Sequence, residues 1–247
     1  MQSSLTPAYV LHSRPYRDTS ALVDLLTLHH GMQRVVWRGA RKPRSGAVAP
    51  QAFVPLLVAT AGRGELKSLA QAEAAGAYLP LQGNALFSGL YLNELLVRLL
   101  APGDPQTLIF AAYQSALQQL AETAAVEPVL RRFEWQLLEV MGYGFSLTED
   151  AAGAPVEAEA IYVWHAEEGL LRLADTRPGD DRAGYSAPGL PGAGLLAMAR
   201  EDWDAPQALR TAKSLMRQAL AIHLGGRPLV SRQLFSSPGS TPRGDRS

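Results

Sequence analysis

Six cations, Arg34, Arg38, Arg41, Lys42, Arg44 and Arg63, follow one another with no carboxylate anywhere between Asp24 and Glu65, and Trp37 stands among them. Guanidinium and ammonium groups gathered without counter-charge pair readily with phosphate oxygens, so the chemistry on offer is non-covalent neutralisation of a polyanion. The first 75 residues hold nine basic and four acidic side chains, which leaves fourteen basic against nineteen acidic in the remainder. The formal net charge of zero therefore conceals a basic block and an acidic one. Arg14 and Lys67 lie in the same basic block, so the expected phosphate-contacting set is Arg14, Arg34, Arg38, Arg41, Lys42, Arg44, Arg63 and Lys67.

Reactive chemistry is harder to find. There is no cysteine, which excludes disulfides, thiolate nucleophiles and Cys-ligated zinc. Neither G-x-x-x-x-G-K-[ST] nor G-x-G-x-x-G occurs, Gly62-Arg63-Gly64 being left uncontinued, and the five histidines form no H-E-x-x-H. No G-x-S-x-G nucleophile elbow is present. His29-His30 reads as a turn pair ahead of Gly31, and Glu149-Asp150, Glu167-Glu168 and Asp180-Asp181 as solvated loop charges. Neither an enzyme nor a bound cofactor or metal is expected.

The elements that must position the cations come first in the chain. Five short alternating runs, Ala8–Ser13, Ser20–Leu28, Met32–Arg38, Phe53–Ala61 and Leu66–Ala74, predict a small closed sheet. Gly62-Arg63-Gly64-Glu65 reads as a hairpin loop, and Gly39 to Pro50 as a longer connection that carries Arg41, Lys42 and Arg44. Strand alternation puts Arg34, Val36 and Arg38 on one face and Gln33, Val35 and Trp37 on the other. Trp37 is then either a core residue or a platform on which a base stacks.

Near residue 80 the period becomes helical. A nearly all-apolar helix starts about Asn84, a second is predicted to open at Asp104-Pro105, a third follows Glu127-Pro128 and stops at Gly142, and a fourth runs from Ala205 to Leu224. Residues 151–194, rich in Gly, Pro and acids, read as a small hairpin or irregular insert around Ile161–His165 and Leu170–Ala174. The expected organisation is an α+β chain: a barrel over residues 1–78, a mainly helical domain over 79–235 and a disordered tail over 236–247. The start of the chain has no secretory pattern and no uninterrupted apolar run of about 18 residues follows, so a cytoplasmic, membrane-free protein is expected. On the fourth helix Arg210, Lys213 and Arg217 form a second basic stripe, either a dipole-complementing, solubilising face or a partner surface.

The runs Val10-Leu11-His12-Ser13-Arg14-Pro15-Tyr16-Arg17-Asp18-Thr19-Ser20 and Val35-Val36-Trp37-Arg38-Gly39-Ala40-Arg41 resemble the opening of the RecO family. Gly62-Arg63-Gly64-Glu65-Leu66-Lys67, Leu86 to Leu95, Arg132-Phe133-Glu134, Gly142-Tyr143-Gly144 and Ser231-Arg232-Gln233-Leu234-Phe235 extend the likeness in order to residue 235. The resemblance implies an N-terminal OB-fold followed by a helical domain. It also implies binding of single- and double-stranded DNA, annealing of complementary strands in recombinational repair, and partnership with RecR and with the C-terminal tail of single-strand binding protein. RecA would be loaded onto DNA indirectly, close to the nucleoid. Some members carry a Cys-ligated zinc module; without cysteine, none is expected here. For the partner tail, acidic and apolar-ended, the stripe Arg210, Lys213 and Arg217 beside Leu209 and Met216 is a candidate dock. The competing reading is a non-catalytic interaction scaffold with an incidental basic patch. A sequence-specific regulator is disfavoured because the helices are too apolar to present base-reading side chains.

Overall fold

Period-two apolar positions build five strands in the computed structural model, which describes residues 4–42, 47–173, 188–225 and 227–235: β1 (Thr6–Tyr16), β2 (Ser20–Thr27), β3 (Gly31–Trp37), β4 (Leu56–Ala61) and β5 (Leu66–Ala74). They close into a barrel in the order β1-β2-β3-β5-β4, the small closed sheet expected from the alternation and the OB-like barrel that the resemblance implies. β3 runs parallel to β5, with Arg34 opposite Leu66 and Val35 opposite Lys67, and β4 is antiparallel to both β1 and β5. Alternate residues fill the interior: Ala8 and Val10, Ala21, Val23 and Leu25, Val35 and Trp37, Leu56 and Val58.

β2 is buried along its whole length, and on β1 Tyr9 and Leu11 are buried as well as Ala8 and Val10. A strand with both faces buried needs a second covering layer. For β1 that layer is helix α1 (Gly83–Leu99), which packs on it and whose Asn93 Nδ2 donates a 2.9 Å hydrogen bond to the Leu11 carbonyl. This explains why the first helix is apolar around most of its circumference. Gly89 lets the helix also lie close against Leu81 and Phe53, because a Cβ there would stand 2.8 Å from both side chains.

By packing, the described chain divides into two compact units. The first comprises the residues up to Leu26, Met32–Pro102 and those from Pro228 onward, so α1 goes with the barrel although a boundary read along the sequence falls near residue 78. Its last element, α6 (Ser231–Leu234), is clasped by Glu94 of α1. The Glu94 carboxylate accepts from the N–H groups of Val230 (2.9 Å) and Ser231 (2.8 Å) and from the Ser231 hydroxyl (2.6 Å). Burial alone would raise the Glu94 pKa, but these donors together with Arg98 hold it below its ordinary value. Phe87 and Phe235 meet edge to face at 5.9 Å in the same clasp.

The second unit, Thr27–Gly31 with Gly103–Arg227, is mainly helical. It contains α2 (Thr107–Glu122), α3 (Val126–Val140), α4 (Gly192–Ala199) and α5 (Pro206–His223), together with the three-stranded sheet β7 (Gly169–Arg172), β6 (Ile161–His165), β8 (Leu190–Pro191). Tyr113 of α2 and Phe133 of α3 are both buried and meet edge to face at 6.5 Å. Two details differ from expectation. α2 begins two residues beyond Pro105, with Gln106 rather than Asp104 in the capping position and Asp104 instead accepting from the Gln106 amide at 2.7 Å. The insert does contain the expected hairpin, but α4 follows it where no helix was read. Its Gly192-Ala193-Gly194 start is a poor helix former, yet Gly194 lets α5 come close, since a Cβ there would stand 2.0 Å from Thr211 Oγ1. Among the described residues no helix is long and apolar enough to cross a membrane. Arg44, residues 174–187 of the insert and the tail 236–247 lie outside the described residues.

Candidate nucleic-acid interface

The loop after β3 folds back over the turn that joins β1 to β2. The Arg41 N–H donates to the Thr19 carbonyl (3.0 Å), and Arg41 Nη1 donates to the carbonyls of Arg17 (3.5 Å) and Asp18 (3.3 Å). Gly39, at φ +72°, turns the chain so that the Lys42 N–H meets the Gly39 carbonyl at 3.0 Å. Arg17 and Arg41 are thereby brought together at one end of the barrel, with Arg38 and Lys42 on the same loop and Arg14 near the end of β1; all five are exposed. Arg17 sits at φ +54° with its guanidinium 5.2 Å from the Tyr16 ring centroid. It is a member of this end that the sequence-derived set lacks, and its place in the tight turn between two strands was the available signal. Asp18 is the one carboxylate in the turn. Arg38 and Lys42 have no acidic partner among the described residues.

Arg34 is different. Its Nε donates to Asp24 Oδ1 at 2.7 Å, the Asp24 side chain being only 7% exposed, and His12 Nδ1 lies 3.7 Å from the other carboxylate oxygen. The Asp24 hydrogen bond, then its charge, raise the Arg34 pKa further, against the opposing pull of burial. Three adjacent strands thus place His12, Asp24 and Arg34 in a row on the outer barrel face, and the acid that bounds the acid-free stretch neutralises the first cation inside it. Lys67 and Arg63 sit elsewhere. The β3–β5 register places Leu66 beside Arg34, so Arg63 lies before the start of that pairing while Arg38 lies about 13 Å beyond Arg34 along the strand, at about 3.3 Å per residue.

Trp37 is 6% exposed and packs with Val35, Val10 and Leu56. The core alternative describes it; a base would reach the ring only if Trp37 left the barrel interior. On α5 the candidate partner dock keeps only Leu209 of its two apolar side chains at the surface, since Met216 is fully buried, and Lys213 Nζ is held 2.8 Å from Glu127 Oε1. Arg210 and Arg217 are exposed and Leu209 is half-buried. An apolar groove does exist between α2 and α3, of about 430 Å³, lined by Leu108, Ala112, Val129, Phe133 and Val140 with Arg132 on its rim. Leu108 there is 68% exposed.

Comparison with known proteins covers both halves of the chain. Residues 1–78 match the family described as Recombination protein O N terminal, and residues 80–233 the family described as Recombination protein O C terminal. The DNA repair protein RecO of Pseudomonas aeruginosa strain LESB58 is 54% identical over 235 residues, covering 95% of this chain and 96% of that protein. Similar relatives of the same description occur in Stutzerimonas stutzeri, 49% identical over 237 residues with 96% and 95% covered, and in Pseudomonas putida strain KT2440, 51% identical over 229 residues with 93% and 96% covered.

Proposed function

The chain belongs to the RecO family, and from that premise we propose that it is a DNA-binding recombination mediator whose contact surface is the barrel end built by Arg14, Arg17, Arg38, Arg41 and Lys42. The observation that carries this reading is the Arg41 clamp, which gathers cations from a turn and a loop distant in sequence onto one surface. Phosphates of single or double strands pair with these groups without base contacts, so binding is sequence-tolerant and salt-sensitive. Holding two strands on one cationic surface offsets their mutual repulsion, and base pairing then completes annealing. No proton transfer or nucleophile is required, and the protein acts in the cytoplasm, at the nucleoid.

In the same reading the protein works with RecR to load RecA onto strands coated by single-strand binding protein. The acidic, apolar-ended tail of that coating protein fits the α2–α3 groove better than the α5 stripe. The groove offers the exposed Leu108 side chain beside an otherwise largely buried apolar lining, next to Arg132, whose Nε and Nη1 are held by Glu201 and by Gln119, both at 3.0 Å. The test of the main reading is annealing of short complementary strands labelled with a fluorescent donor and acceptor. The intact protein should accelerate annealing, and Arg38→Ala/Arg41→Ala/Lys42→Ala should slow it; annealing no faster than in protein-free solution refutes the proposal.

A further inference from the structure

The second unit holds a cavity for which the DNA reading has no use. Just beyond α3 Gly142, whose φ is +82°, redirects the chain, and Tyr143 then stacks on His223 of α5, ring centroids 3.8 Å apart and planes 24° from parallel. Phe145 meets Trp135 of α3 at 5.1 Å and Trp164 of β6 at 5.3 Å. Tyr143, Phe145, Trp164 and His223, with the turn between β6 and β7, line a cavity of about 350 Å³, within the range of small-ligand sites. The rest of the lining includes Glu149, Asp150, Glu167 and Glu168 and contains no Lys or Arg.

These carboxylates are not equally committed. Asp150 Oδ1 accepts from the N–H groups of Ala152 and Ala154, both at 2.9 Å, and Glu168 lies 4.0 Å from His165 Nδ1. The Glu149 and Glu167 side chains are exposed and have no partner among the described residues. Burial lowers the His223 pKa, disfavouring the positively charged form of this ring. Aromatic faces attract a cation through their quadrupole and carboxylates attract it through full charge, two independent reasons for one ligand type. A planar guanidinium satisfies both, stacking on a ring while presenting paired N–H groups to a carboxylate; an ammonium does only part of this.

We propose that this cavity docks an arginine side chain presented by a peptide segment of a protein partner. Charge complementarity selects the occupant, and the exposed Tyr143 at the rim (47%) leaves room for a side chain to enter. The inference is independent of the barrel's DNA contacts. It is tested by titrating the ¹⁵N-labelled full chain with acetyl-Gly-Arg-Gly-amide and with its lysine and citrulline counterparts. The arginine peptide should shift the Trp164 indole N–H and the Tyr143 and Phe145 amides saturably, with lysine weaker and neutral citrulline at least about tenfold weaker. Glu149→Gln/Glu167→Gln changes only exposed side chains, so melting should stay the same while arginine-peptide affinity drops at least about fivefold. Equal binding of citrulline, shifts scattered over acidic residues elsewhere, or unchanged affinity in the double variant would each overturn the proposal. Self-association of the unliganded protein that disappears in the double variant would overturn it too, assigning the cavity to a second copy of this chain.

Discussion

Removing Arg38, Arg41 and Lys42 together separates cations that are open to phosphate from the one that is already spent on Asp24. Each phosphate neutralised on a single strand contributes about 0.7 to the slope of log affinity against log salt, so losing three contacts should flatten the slope by about 2. Between about 50 and about 200 mM salt this amounts to about 1.3 logarithmic units, so the wild-type protein should lose about 20-fold more affinity than the variant over that range. Arg34→Ala supplies the internal control. Its Nε is occupied by a buried carboxylate at 2.7 Å, so its slope should change by less than half of one contact. It should instead destabilise the barrel by about 1 to 2 kcal/mol, discounted for the half-exposed Arg34 side chain, because Asp24 loses its strongest partner. The assay is fluorescence anisotropy with a labelled single strand across a salt series. An unchanged slope in the triple variant, or an equal drop in Arg34→Ala, would refute the assignment of the barrel end.

Two further expectations follow from burial and hydrogen bonding. Glu94→Gln should lower thermal stability at pH 7 by about 1.5 to 3 kcal/mol, since the bonds from Val230 and Ser231 lose their charge assistance and one of the two acceptor oxygens becomes a donor. The folded pKa of Glu94 lies below 4.5, so the carboxylate stabilises the fold above that value and the contribution vanishes as pH falls through the folded pKa; melting curves of the two proteins should converge on acidification. A gap independent of pH would refute the clasp. Trp37→Phe should keep both DNA affinity and salt slope, whereas Trp37→Ala should cost about 3 to 5 kcal/mol of stability by opening the barrel core; a folded Trp37→Phe protein with affinity reduced more than about tenfold in anisotropy would restore the stacking role.

The barrel was legible because strand alternation is local: Gln33, Val35 and Trp37 turn inward and Arg34 and Arg38 outward, as residue spacing alone dictates. The long helices were legible for the same reason. What escaped depends on pairing between elements. Asp24 and Arg34 are ten residues apart on neighbouring strands, and nothing in the linear order of charges reveals that one cancels the other. Met216 follows the helical period of α5, but whether its stretch of the helix faces solvent depends on which elements pack there. α4 was missed because small residues weaken the helical signal at the very place where they permit close approach to Thr211. The Arg41 clamp needed both the turn and the loop to be placed before it could be seen.

The Glu94 clasp also bears on how the protein is made. α1 leaves the ribosome well before the segment it holds, Val230 to Phe235, Ser231 following Glu94 by 137 residues. Domains usually mature in order as the chain emerges, but here the first unit can be completed only after Gly103–Arg227 has been translated. Until then the nascent polypeptide carries Glu94 and Phe87 without the segment that engages them, and Tyr91 without Arg232, whose guanidinium lies 5.8 Å from its ring centroid, a window in which release of an unfinished chain leaves the barrel unit unsealed.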